Sequence, residues 1–234
     1  MFNQTGTAQP TTITNYNGTS FGQPNGVAVD ASGNLYVLDQ VNDSVYVLTS
    51  TGSPVRSWNS WTGGAVTAFS SPEGIALDSS GNVYVADTDN AMVEEFSSIG
   101  TYMAEWNSWT GGSTSNNFSI PTAIAFDGSG KIYVADAGTT LMDVFTGPGV
   151  YSNQWQTVSG SDIFGITYNS NDNNLYAADS GNSQIEIYNL NGILLTAGSG
   201  TTALNNTSPD GIAISGSNIL VSDFSNNAVY QFTP

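Results

Sequence analysis

Short apolar runs recur along the chain at a nearly constant spacing. The first run of each repeat is built from small and apolar residues, and its five copies start 48, 49, 42 and 46 residues apart. The copies are Gly26–Asp30, Gly74–Asp78, Ala123–Asp127, Gly165–Asn169 and Gly211–Ser215. This composition predicts a strand that is packed on both faces. Self-similarity at this period indicates a repeat architecture.

A tight turn and a second strand follow each of these first strands. The turns are rich in Gly and Asn, which tolerate the positive φ that a hairpin requires. The second strands end at Asp39, Asp87, Asp136, Asp179 and Asp223. These aspartates either form a ring that binds cations or accept backbone N–H groups of the following loops. Because an aspartate recurs in every repeat, we expect these aspartates to accept backbone N–H groups. We expect the same structural role for the aspartates that precede the tight turns, Asp30, Asp78 and Asp127.

Two further strands complete most of the repeats. Third strands are predicted at Val45–Leu48, Met92–Phe96, Met142–Phe145, Ile185–Tyr188 and Val229–Phe232. The polar loops before them are Gln40–Ser44, Thr88–Ala91, Ala137–Leu141, Ser180–Gln184 and Phe224–Ala228. Fourth strands end at Trp58, Trp106 and Trp155, and the one in the fourth repeat covers Ile193–Ala197. Four-stranded antiparallel units repeated around an axis predict an all-β fold, the β-propeller.

The two ends of the chain predict how the propeller closes. The fifth repeat stops after its third strand, and an unassigned strand, Thr11–Tyr16, precedes the first repeat. We therefore predict that this N-terminal strand completes the last blade and closes a ring of five four-stranded blades, which removes exposed edges. The alternative is a six-bladed propeller with one blade missing. The predicted blades cover 21–60, 69–108, 118–157, 162–200 and 206–234 plus 11–17, in one domain spanning 1–234.

The second repeat carries a family resemblance. Phe69–Asn90 reads Phe-x-x-Pro-x-Gly-Ile-Ala-Leu-Asp-x-Ser-Gly-Asn-Val-Tyr-Val-Ala-Asp-Thr-x-Asn and closely resembles the NHL repeat. The first three repeats match this pattern well. The fourth lacks its Pro and turn Gly, and the fifth lacks its Phe and the Asp after the first strand. The resemblance implies blades around a central channel, commonly six, and a role mainly as an interaction platform.

Charge and composition limit the partners and the location. Among 234 residues there are 2 basic and 19 acidic ones, a net charge of −17. Two cations cannot neutralise a phosphate backbone or an anionic membrane, so we expect no nucleic-acid partner. No apolar run approaches about 18 residues, so we expect no membrane insertion. A surface of Ser, Thr, Asn and Gly favours a secreted or cell-surface protein. Such a surface is also compatible with an acidic medium. The first residues do not form a signal peptide.

Six sequons for N-glycosylation fit an extracellular location. They are at Asn3, Asn17, Asn42, Asn117, Asn205 and Asn206. Several of them would arise by chance in a chain so rich in Asn, Ser and Thr. Glycosylation therefore stays an open alternative.

The residue immediately before each first strand differs from repeat to repeat. The five residues are Asn25, Glu73, Thr122, Phe164 and Asp210. We expect them at the channel mouth, where two carboxylates and neutral oxygens suit Ca²⁺. Glu73, Asp210 and Asn25 are thus the predicted metal ligands, with Thr122 and Phe164 as further binding residues. Propellers of the gluconolactonase and paraoxonase type are similar to this arrangement in that they hold a metal in the channel, but they share no motif with this chain. The alternative to a metal site is a polar mouth that needs no cofactor.

The heptapeptide Trp58–Gly64 recurs without change at Trp106–Gly112. Each copy leaves the outer strand of one blade for the next. Trp61 and Trp109 either bind sugars or a protein partner, or pack between the blades and cover the connecting loop. The packing role is the one we expect.

The sequence favours recognition over catalysis. It contains no His and no Cys, so the usual neutral-pH base and the thiol nucleophile are both absent. Glu73 and Asp210 are the one carboxylate pair that we place at a common mouth. We predict a non-enzymatic extracellular module that binds a protein or glycan partner through its variable loops. The alternatives are a Ca²⁺-dependent hydrolase or lactonase at the channel mouth, and a homo-oligomeric subunit of a surface filament or layer.

Overall fold

The protein is a five-bladed β-propeller, as the repeats predicted. The computed structural model describes residues 12–111, 116–198 and 207–232, and its regular elements are 21 β-strands. The first strands of successive blades lie side by side around the channel. No helix in these described ranges is long and apolar enough to cross a membrane.

Each blade is an antiparallel sheet whose strands follow chain order. Blade 1 contains β3 (Pro24–Val29), β4 (Leu35–Asp39), β5 (Ser44–Leu48) and β6 (Pro54–Trp58). Blade 2 contains β7 (Pro72–Leu77), β8 (Val83–Asp87), β9 (Met92–Phe96) and β10 (Tyr102–Trp106). Blade 3 contains β11 (Pro121–Phe126), β12 (Ile132–Asp136), β13 (Leu141–Phe145) and β14 (Tyr151–Gln156).

The last two blades complete the propeller. Blade 4 contains β15 (Ile163–Asn169), β16 (Asn174–Asp179), β17 (Gln184–Asn189) and β18 (Leu194–Gly198). Blade 5 contains β19 (Pro209–Ser215), β20 (Asn218–Asp223) and β21 (Ala228–Phe232). The first strands begin about two residues earlier than predicted, because the residue two places before each of them, a Pro in four blades and Ile163 in blade 4, already pairs with the aspartate that ends the second strand.

The hydrophobic core lies between the blades. The second apolar residue of each inner strand packs on the preceding blade, so Ile75, Ile124 and Ile166 are 9%, 6% and 8% exposed. Alternate residues of the same strands face the following blade. The inner strands of blades 2, 3 and 4 are therefore packed on both faces, as their small apolar sequences predicted.

Two glycines allow the inner strands to approach each other closely. A Cβ built on Gly74 would lie 2.6 Å from the carbonyl oxygen of Thr122, and one on Gly165 would lie 2.5 Å from that of Asp210. In both cases the obstacle is the backbone of the next blade, which cannot rotate away. The glycines that open the repeats thus fix the spacing of the blades.

Blades 5 and 1 meet differently from the other neighbours. Val27 occupies the position of Ile75 but is 62% exposed, and Val29 is 57% exposed. On the other side of this junction, Val229 of β21 is 60% exposed. Within the described residues, β21 also has no fourth strand beside it.

The expected closure by the N-terminal strand is wrong in the described residues. Thr11 lies outside them, and Asn15–Tyr16 (β1) pairs with Thr19–Ser20 (β2) in a separate hairpin. The N–H of Phe21 donates to the Thr14 carbonyl at 3.1 Å, just as Phe118 donates to Asn107 at 3.0 Å in the crossover between blades 2 and 3. The hairpin is therefore the crossover segment of blade 1, which covers that blade instead of extending blade 5.

The tryptophans of the repeated heptapeptide pack in the core, as expected. Trp61 is 9% exposed, and its ring centroid lies 4.7 Å from that of Phe69 and 5.0 Å from that of Phe96. Trp109 is 7% exposed and makes the equivalent contacts in blade 3. This burial leaves neither ring available to stack on a ligand, and it favours the packing role over the alternative of binding a sugar or a protein partner.

The close backbone contact at Gly74 predicts the effect of adding one methyl group. We expect Gly74→Ala to lower the free energy of unfolding by about 1–3 kcal/mol, because the new Cβ meets a carbonyl oxygen that can move only with its strand. The check is urea unfolding followed by tryptophan fluorescence. Gly147→Ala is the control, since its Cβ would find nothing nearer than 3.8 Å. Equal stability of the two variants would contradict this account of blade spacing.

Candidate functional site: the channel mouth and its loop face

Four of the five predicted mouth residues line one small cavity. Its volume is about 70 Å³, and its walls come from four blades. The lining residues are Asn25, Glu73, Phe164, Asp210, Gly211 and Ser222. The first strands bring them together because all of these strands start at the same end of the channel. The cavity has room for an ion or a few waters.

Glu73 is the electrostatic centre of the mouth. Its Oε1 accepts a hydrogen bond of 3.1 Å from Nε2 of Gln40, whereas its buried Oε2 has no hydrogen-bond partner. Burial raises the pKa of Glu73 to about 7; the Gln40 bond opposes this, and the charge of Asp210 adds to it. Burial also raises the pKa of Asp210. Such a mouth attracts cations and repels anions.

Thr122 lies outside the cavity. Its side chain is fully buried, and Oγ1 donates to the carbonyl oxygens of Ile163 at 2.5 Å and Ala135 at 3.2 Å. The hydroxyl ties blade 3 to blade 4 and faces no ligand. Thr122 is therefore a structural residue, which corrects its selection as a binding residue.

Ser222 is the mouth residue that the sequence reasoning missed. Its Oγ accepts a hydrogen bond of 2.8 Å from the N–H of Gly211, at the end of the blade that also carries Asp210. Ala86, Ala135 and Ala178 stand at this position in blades 2 to 4. The exchange of Ala for Ser in the last repeat was the available signal.

The structural role predicted for the recurring aspartates is confirmed. Those that end the second strands are at most 2% exposed and accept backbone N–H groups from the segment that enters their own blade. Asp39, for example, binds the N–H groups of Gly22 and Gln23 and the side-chain amide of Asn42. These contacts hold the loops between second and third strands, which surround the mouth and form what we call the loop face.

The loop face exposes large apolar side chains. Phe224 is 77% exposed and Val41 is 62% exposed, although each follows closely on a fully buried aspartate. Polar residues at the position of Phe224 in other blades reach the next blade: Gln40 bonds to Glu73, and Thr88 donates to the carbonyl of Pro121. Phe224 has no such contact and points to solvent.

Three blades bury an acid in the middle of the third strand. Glu94, Asp143 and Glu186 are fully buried, and burial is the main cause that raises the pKa of each, to about 10 for Glu94 and about 7 for Asp143. Asp87 beside Glu94 raises its pKa further. Neither oxygen of Glu94 has a hydrogen-bond partner, so burial and the neighbouring Asp87 favour the neutral form of this carboxyl.

The described residues hold no group of three or more acidic side chains arranged for a metal. A metal at the mouth would therefore rely on the two carboxylates of Glu73 and Asp210 together with the neutral oxygens of Asn25 and Ser222. That donor set is chemically suited to Ca²⁺, and the free Oε2 of Glu73 is available to it.

The sequons differ in their accessibility. Asn17 and Asn117 are exposed, whereas the side chain of Asn42 donates to the carbonyl of Ser20 and to Asp39. Three further sequons lie outside the described residues: Asn3, Asn205 and Asn206.

Residues 69–96 match the family model described as NHL repeat. The match covers β7 to β9 of blade 2, the segment on which the resemblance was recognised. The chain therefore carries an NHL repeat within a β-propeller. None of the curated proteins matches the chain in sequence.

Solved structures with the same fold include virginiamycin B lyase and streptogramin B lyase. The inactive His-to-Ala variant of virginiamycin B lyase from Staphylococcus aureus, with quinupristin, has a TM-score of 0.63 and 14% identity over 88% of this chain and 68% of that one. A selenomethionine form of the Staphylococcus aureus enzyme has a TM-score of 0.58 and 14% identity, covering 91% and 84%. A streptogramin B lyase has a TM-score of 0.61 and 16% identity over 90% of this chain and 68% of that one. At these identities the likeness shows the fold alone.

Burial of Asp143 predicts a pH-dependent stability. Its folded-state pKa, about 7, is above the unfolded value, so its stabilising contribution is full below about pH 4 and is lost as pH rises through 7. We expect the free energy of unfolding to fall between about pH 4 and 7. Asp143→Asn should flatten that decline by up to about 1.4 kcal/mol per pH unit.

The measurement is urea unfolding at a series of pH values. Asp30→Asn is the matched control, because hydrogen bonds from the following turn outweigh burial and lower the pKa of Asp30, which places its titration below this window. The same decline in Asp143→Asn as in the wild type would contradict the assignment.

Proposed function

We propose that this propeller is a non-enzymatic recognition module that acts outside the cell or on its surface. It binds a protein or glycan partner through the loop face. The observation that carries this is the exposure of Phe224 and Val41 on loops that buried aspartates hold in place. Large exposed apolar side chains on a rigid frame are typical of binding surfaces, because little conformational freedom is lost on binding.

The chemistry of the chain supports binding over catalysis. A His-to-Ala substitution is reported as inactivating in the lyase of the same fold, and the present sequence contains no histidine. The mouth cavity of about 70 Å³ is also far below the roughly 300–1,000 Å³ of small-molecule sites. The low content of Lys and Arg with a surface of hydroxyls and amides supports an extracellular setting.

The loop face predicts which substitutions abolish partner binding. Immobilised wild-type protein, incubated with the extracellular and surface fraction of its own organism, should retain a partner that Phe224→Asp and Val41→Asp bind at least about tenfold more weakly. Ile99→Asp is the matched control, since Ile99 is 69% exposed at the opposite end of blade 2. The purified partner is then titrated against all four proteins. Equal retention by all of them, or no retention by the wild type, would refute the loop face as the binding site.

A metal-dependent hydrolase is the second candidate, because Glu73 and Asp210 line the same cavity. The unpartnered Oε2 of Glu73 and the surrounding negative charge favour a cation there. In this candidate the two carboxylates would hold the ion, which would supply Lewis-acid polarisation of a substrate carbonyl.

The raised pKa of Glu73 makes Ca²⁺ binding pH-dependent. Since protons compete with the ion below about pH 7, Ca²⁺ should raise the melting temperature at pH 8 and leave it unchanged at pH 5. Glu73→Gln should abolish the shift, whereas Asp172→Asn, an exposed carboxylate at the opposite end of the blades, should keep it. Thermal unfolding with Ca²⁺ and with a chelator measures both. No shift at pH 8 would eliminate the metal-dependent candidate and leave the recognition module.

A further inference from the structure

A second cavity lies on the outer part of blade 1, away from the channel. Its volume is about 290 Å³, at the lower end of the range for small-molecule sites. The N-terminal hairpin forms one wall, and β5 and β6 form the floor. The lining residues are Tyr16, Asn17, Thr19, Ser44, Tyr46, Ser57, Trp58 and Asn59. We call this cavity the hairpin cleft.

The cleft exists because the crossover segment of blade 1 is short. Four residues separate Tyr16 from Phe21, whereas seven separate Trp61 from Phe69 at the equivalent place in blade 2. In blade 2 the longer loop folds down onto the fourth strand, where the N–H of Ala65 donates to the carboxylate of Glu105. The short hairpin does not reach so far, and leaves the corresponding space of blade 1 open.

The floor of the cleft also differs in chemistry. Glu94 and Glu105 are paired across β9 and β10, and at the same register of blade 1 stand Tyr46 and Ser57. Two acids are thus replaced by two hydroxyl-bearing side chains. Among the described residues, no charged side chain lines the cleft.

Aromatic and polar groups in the cleft are arranged for a small polar ligand. The rings of Tyr16 and Tyr46 lie 5.0 Å apart at 32° and form an apolar corner, in which Tyr46 is 7% exposed and the half-buried ring of Tyr16 supplies the accessible face. Asn17, Thr19 and Ser57 are exposed beside them and supply neutral donors and acceptors. A ligand that fits has an apolar face for the tyrosines and hydroxyl groups around its edge.

We propose that the hairpin cleft binds one neutral sugar ring. A pyranose presents C–H groups on its face and hydroxyls at its rim, which match the tyrosine corner and the neutral polar wall. The absence of a lining cation and the net charge of −17 disfavour acidic sugars and phosphates. The site is separate from the loop face, so it does not depend on the recognition function proposed above.

Saturation-transfer NMR with the methyl glycosides of glucose, galactose, mannose and N-acetylglucosamine tests the proposal on unglycosylated protein. At least one of these sugars should bind. Ser57→Trp fills the cleft and should weaken binding at least about tenfold, whereas Ser152→Trp, the same change at an exposed site of β14, should not. Tyr16→Phe keeps the ring and should retain binding, and Tyr16→Leu should lose it.

Three results would overturn the proposal. They are the absence of transfer from every sugar, unchanged binding in Ser57→Trp, and loss of sugar binding in Phe224→Asp, which would move the site to the loop face. The melting temperature of each variant separates loss of binding from loss of folding.

Discussion

The arrangement of the blades depends on the hydrogen bonds that a buried aspartate accepts at the end of each second strand. An unpaired buried carboxylate would be costly, and each of these instead receives N–H groups from the segment that enters its blade and from its own loop. Thus one side chain joins the inner strand, the second strand and the loop of a blade. Loops held in this way lose little freedom when they bind, which is why the loop face can combine exposed side chains with a fixed geometry.

Most of the fold could be predicted from the sequence because the repeat encodes local geometry. Turn glycines, alternating apolar residues and the recurring aspartates occur in nearly every copy, and the strands lie where these signals placed them. The N-terminal segment could not be placed, since Thr11–Tyr16 has the pattern of a strand whichever sheet it joins. Its assignment depends on tertiary contacts: Tyr16 and Phe21 pack on Tyr46, so the segment covers blade 1.

The candidate site was predicted as far as it depends on strand ends. The residues that precede the inner strands all lie at the same end of the channel, whichever side chains they carry. For this reason Glu73 and Asp210 line one cavity. Which way a side chain turns depends on its neighbours, and Thr122 turned inward because the carbonyl oxygen of Ile163 in the next blade accepts its hydroxyl. Ser222 was missed for the complementary reason: it lies in a strand, where the sequence suggested packing and not a wall of the mouth.

The middle position of the third strand carries a different kind of residue in blade 1 than in blades 2 to 4. In blades 2 and 3 this position holds the buried acids Glu94 and Asp143, which favour the folded state only while they are protonated. They lie beneath neighbouring elements that shield them from water. In blade 1 the same position is also buried, but it carries no acid. Tyr46 occupies it instead, and its ring packs against the hairpin while the floor stays neutral. The shortened crossover and the exchange of acid for tyrosine thus occur together in blade 1, and they leave the hairpin cleft open above a neutral floor.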